Sequence, residues 1–106
     1  MSHNRITGCV IEQVEEIGWA DFGLWFSLLA HRHGERILRM KGIFRFAGGG
    51  APVLIQAAQH LVHRPEHLTT LPNDSPAVAM VLITEGIEHE RLRRSFSIMA
   101  GRQDTI

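Results

Sequence analysis

The sequence predicts an α+β fold: a two-layer sandwich in the order βαβββα, with a four-stranded, mainly antiparallel sheet and two helices on one of its faces. Three observations predict it. Apolar and basic residues alternate through 36–46, as in a half-exposed strand, and apolar residues recur at helical spacing in 19–33 and 88–100. A nearly all-apolar run occupies 77–84, as in a strand that is central in its sheet and covered on both faces.

The first strand, over 6–14, rests on the β-favouring residues Ile6, Cys9, Val10, Ile11 and Val14, and ends before Gly18. The first helix follows because Phe22, Trp25, Phe26 and Leu29 fall at i, i+3, i+4 and i+7, with Leu28 beside them and Gly34 as the C-terminal cap. In the second strand Leu38, Met40, Gly42, Phe44 and Phe46 share one parity and point to the helices, while Arg39, Lys41 and Arg45 take the solvent side. Gly48, Gly49 and Gly50 supply the reversal, so a third strand over 52–63 pairs with the second as a hairpin. A proline-rich surface loop fills 64–76, and the apolar fourth strand over 77–84 stops at Glu85 and Gly86. Leu92, Phe96 and Met99 give the second helix its apolar stripe under a charged face of Glu88, Glu90, Arg91, Arg93 and Arg94. The first helix makes a right-handed crossover between the first two strands and so sets them parallel.

Composition narrows the functional classes. The 106 residues form a single domain, 1–106, with an ordered core over about 5–101, and 44% hydrophobic against 21% charged residues is ordinary globular material. Eleven basic and eleven acidic side chains cancel, so no global charge draws the chain to nucleic acid or an anionic membrane. A single cysteine, Cys9, excludes an internal disulfide and a thiolate metal cluster and fits a reducing, cytoplasmic setting. Signal-peptide and membrane-spanning patterns are absent, as are the GxxxxGK[ST], GxSxG and HExxH motifs, so catalysis has no obvious seat and an enzyme of unrecognised type ranks last among the readings.

Two constellations remain as candidate sites. His60, His63 and His67 are the best metal-ligating set among seven histidines, since three imidazoles can hold zinc and leave a coordination position open. On one continuous strand, however, His60 and His63 point to opposite faces, which limits zinc to weak binding. Arg39, Lys41 and Arg45 form a cationic stripe that can receive acidic groups, with Gly42 beside Lys41 leaving room for a partner. The apolar fourth strand adds side chains to the same outer face, making a mixed apolar and basic interaction patch. Cys9 is expected to be a small buried hydrophobe.

The stretches Arg39-Met40-Lys41-Gly42, then Gln59-His60-Leu61-Val62-His63-Arg64-Pro65-Glu66-His67-Leu68, then Leu71-Pro72, then Val81-Leu82-Ile83-Thr84-Glu85-Gly86-Ile87 resemble, in order and spacing, the CobW C-terminal domain. The resemblance spans nearly the whole chain. Lys41 and Gly42 match the family's RxKG strand, His60 the histidine after its glutamine, and Pro65 and Pro72 its loop prolines. Leu71 stands where many members carry Trp, and Ala79 where many carry Arg. The resemblance implies the non-catalytic C-terminal module of a CobW-type GTPase, a family linked to cobalamin biosynthesis and to metal delivery, zinc included. Its implied partner is a P-loop GTPase domain of the same or another chain, or a second copy of itself. The GTPase part and its CxCC-type metal motif are missing from this sequence, so no nucleotide site and no resident cofactor carry over. An independent metal-binding module built on His60, His63 and His67 is the alternative.

Overall fold

The computed structural model describes residues 5–59, 61–69 and 75–101. In chain order these form β1 (Ile6–Gln13), α1 (Trp19–His33), a 3-10 turn (Gly34–Arg36), β2 (Ile37–Phe44), β3 (Val53–Ala58), β4 (Leu61–Val62), β5 (Glu66–His67), β6 (Val78–Glu85) and α2 (His89–Gly101). The α+β two-layer sandwich is present, with the sheet in the order β1-β6-β2-β3-β4 and β5 also paired to β3. Because β1 and β2 each run antiparallel to β6, they are parallel to one another with β6 between them.

One face of the sheet carries the core. Cys9 and Ile11 of β1, Met40 and Phe44 of β2, Val53 and Ile55 of β3, and Val78, Met80 and Leu82 of β6 are buried beneath the helices. From α1, Phe22 meets Phe44 with ring centroids 4.6 Å apart, and Trp25 meets Phe96 of α2 edge-on at 5.0 Å. The Trp25 indole N–H donates to the Ser95 hydroxyl at 2.9 Å, and that hydroxyl donates to the Leu92 carbonyl, so the helix pair is also tied by a polar contact. The amide of Gly34, whose φ of 46° few other residues adopt, closes α1 onto the Ala30 carbonyl. At the free edge of β1, Arg93 of α2 donates to the Val10 carbonyl and occupies part of a strand edge that would otherwise invite another strand.

Four expectations need correction. The continuous third strand over 52–63 ends at Ala58: Gln59 turns the chain with a φ of 53°, and Leu61 and Val62 run back along Ala58 and Ala57. The sheet therefore has two short strands beyond the expected four, and the expected loop over 64–76 contains β5 among its described residues. In β2, Leu38 is not a core-facing member of the alternation. Ile37 pairs with Thr84 and Arg39 with Ile83, so Leu38 is the extra residue of an irregularity and Ile37 takes the buried position. Finally, β6 is central but covered on one face only, with Val81 40% exposed on the other.

Candidate interaction surface

The outer face of the sheet is built from alternate residues whose partners the register fixes. Val10 of β1 lies opposite Val81 of β6, Val81 opposite Lys41 of β2, and Lys41 opposite Gln56 of β3. The neighbouring row runs Glu12, Ala79, Ile43, Leu54 and Glu66 across five strands, and on the other side Ile83 stands between Gly8 and Arg39. Paired residues in an antiparallel ladder point to the same face. The result is an apolar floor of Val10, Val81, Ile83, Ile43 and Leu54, from which Arg39 and Lys41 project as exposed cations, with Glu12 and Glu66 exposed in the outer strands.

The three residues of the cationic stripe do not behave alike. Arg39 and Lys41 are exposed two residues apart on β2. Arg45 is half-buried: its amide donates to the Ala77 carbonyl and its guanidinium to the Ser75 carbonyl at 3.4 Å, so it helps hold the segment leading into β6. Nor does Gly42 open space beside Lys41. It is buried on the opposite, helix-facing side of the strand, where Phe44 fills the room its missing side chain leaves.

Of the histidine set, His60 lies outside the described residues. His63 donates its amide to the Gln56 carbonyl, continuing the β3–β4 ladder, and His67 pairs with Val53 at the other end of β3. Three residues of strand, or about 10 Å, separate these positions. Gln56 belongs to the outward parity of β3 and Val53 to the buried one, so His63 and His67 point to opposite sides of the sheet. Because the chain reverses at Gln59, His63 follows β4 and runs back along β3 instead of extending it. Among the described residues, no three His, Cys, Asp or Glu side chains come together as a metal site. Cys9 is fully buried, and burial pushes its thiol above the usual range despite the opposing charge of Arg93, so it is a core residue rather than a nucleophile.

The apolar members from β1, β2 and β3 could not be read as one patch from the sequence. Val10, Ile43 and Leu54 come onto one face only once the register of four strands is set. No helix of the described residues is long and apolar enough to cross a membrane.

Residues 6–99 match the family described as the cobalamin synthesis protein cobW C-terminal domain. Among solved structures, the crystal structure of the Zn(II)-bound YjiA GTPase from E. coli aligns with a TM-score of 0.78 and 21% identity, over 89% of this chain and 29% of that one. A Zn(II)-bound triple mutant of YjiA GTPase aligns with the same values. No curated protein matches the chain. The likeness to YjiA establishes a shared fold, and this chain spans less than a third of that protein's length.

Proposed function

The chain belongs to the cobalamin synthesis protein cobW C-terminal domain family, and from that premise we propose that it is the non-catalytic module of a CobW-type metallochaperone GTPase, docking through its outer sheet face onto the P-loop GTPase domain. The observation that carries the docking reading is the uncovered sheet face itself. Its apolar rows through Val10, Val81 and Ile43 lie beside the exposed cations Arg39 and Lys41. An uncovered apolar floor from which cations project, with carboxylates in the outer strands, supports an interface over a purely solvated sheet face. Metal delivery, and a link to cobalamin synthesis, are supported by the family's description and by the zinc bound to YjiA. A GTPase partner supports a cytoplasmic location.

Docking is tested by titrating the chain with its separately produced GTPase domain and measuring the affinity calorimetrically. The pair Arg39→Glu and Lys41→Glu should weaken association at least tenfold. Arg45 is left intact because its contact with Ser75 makes it part of the fold. Unchanged affinity in the double variant would refute docking through this face. Self-association through the same face, lost in the same variant, would replace the GTPase domain by a second copy of the chain. The chain alone should give no heat with GTP and magnesium, since it contains no GxxxxGK[ST] loop to cradle the phosphates.

A further inference from the structure

On the helix layer, away from the outer sheet face, a cleft of about 310 Å³ opens between the C-terminal half of α1 and the length of α2 from Arg91 to Met99. Its floor is apolar, formed by Trp25, Leu29, Leu92 and Met99, and its rim carries Arg32 and His33 from α1 and Arg91 from α2. Arg36, in the turn after α1, adds its charge to the field around His33. A second concavity shares Ile87 with the first and is lined by Arg36, Arg5 and His89. Among the described residues, Glu88 is the one acidic residue lining either.

Arg32 and His33 lie in the last turn of α1, where basic groups offset the negative end of the helix dipole. That role does not account for Arg91, which arrives from another helix, nor for Arg36, which lies beyond the helix end. Among the described residues the ion pair present is Arg93 with Glu90, so Arg32 and Arg91 line the cleft, and Arg36 the concavity beside it, without an ion-paired carboxylate. Arg32 and Arg91, exposed on the walls of one cleft, repel; a bound anion between them turns that repulsion into charge-assisted hydrogen bonds. The cleft volume lies at the lower end of the range of about 300–1,000 Å³ found for small-molecule sites.

We propose that the cleft between α1 and α2 binds a small organic anion, with a flat apolar body seated against Trp25, Leu29 and Met99, a phosphate or carboxylate head held by Arg32 and Arg91, and Arg36 outside the cleft adding to the positive field. Body and head are both required: the floor offers no charge, and the rim offers no enclosed volume. The site is on the layer opposite the proposed docking face, so it stands or falls independently of docking.

The probe is 1-naphthyl phosphate, titrated into the isotopically labelled 106-residue chain while the Trp25 indole and the arginine side-chain resonances are followed by NMR. Saturable binding in the submillimolar range, shifting the Trp25 indole, is expected. Inorganic phosphate and the neutral 1-naphthalenemethanol should each bind at least tenfold more weakly, and 1-naphthoate distinguishes a carboxylate head from a phosphate head. The double variant Arg32→Ala and Arg91→Ala should lose at least tenfold in affinity, and Arg36→Ala alone should lose several-fold. All three side chains are exposed, so the variants are expected to fold, and their amide spectra report whether they do. A Trp25 indole that does not move, affinity equal to that of the neutral alcohol, or undiminished binding by the folded double variant would each overturn the proposal.

Discussion

The ring of Phe44 lies over the bare α-carbon of Gly42, two residues earlier on the same strand. A Cβ at Gly42 would stand 2.7 Å from Phe44 Cε1 and 2.7 Å from the Cβ of Met80 on the neighbouring strand. The glycine of the Lys-Gly pair in β2 is therefore a packing requirement. It lets an aromatic ring close the sheet's inner surface at the contact of β2, β6 and α1.

Gly42→Ala should destabilise the protein by about 1–3 kcal/mol, the usual cost of forcing extra volume into a packed core. Chemical denaturation measures it. Combining it with Phe44→Leu should give a smaller total loss than the two single losses added, because the ring that clashes is gone. A variant as stable as the parent would mean that Met80 and Phe44 shift freely.

The second prediction concerns pH. His33 sits half-buried at the end of α1, where burial, reinforced by the charges of Arg32, Arg36 and Arg91, holds its pKa below the ordinary imidazole value of 6.5. The unfolded chain then binds more protons at this position than the folded one. The contribution of neutral His33 is fully present above its unfolded pKa and is lost as pH falls through that value toward the folded one. Urea unfolding at pH 8 and pH 5 should show the parent losing more stability on acidification than His33→Gln. Equal losses would show that His33 charges in the folded protein as readily as in the unfolded chain.

Zinc binding is the third. With His63 and His67 on opposite sides of the sheet, zinc should bind no more tightly than about micromolar, well short of a closed tetrahedral site. Competition with a chromophoric chelator gives the number. Nanomolar affinity abolished by His60→Ala with His63→Ala would establish the independent metal module instead.

What the sequence determined by itself was the set of long elements and the faces they present. Helical spacing placed α1 and α2 and chose Phe22, Trp25, Leu29, Leu92, Phe96 and Met99 as their buried stripes, since a helix can bury only side chains that return every third or fourth residue. Alternation likewise put Arg39 and Lys41 outside and Met40 and Phe44 inside. The reversal at Gln59 was hidden because no glycine, proline, asparagine or aspartate marks it locally; pairing of β4 with β3 holds that residue in a left-handed conformation its own preference would not select. The same holds for both candidate surfaces. The outer patch exists only in the register of four strands, and the cationic rim only because α2 folds back along α1 to bring Arg91 beside His33. Local periodicity specifies which way a side chain points; which distant side chain it meets there is decided by the packing of whole elements.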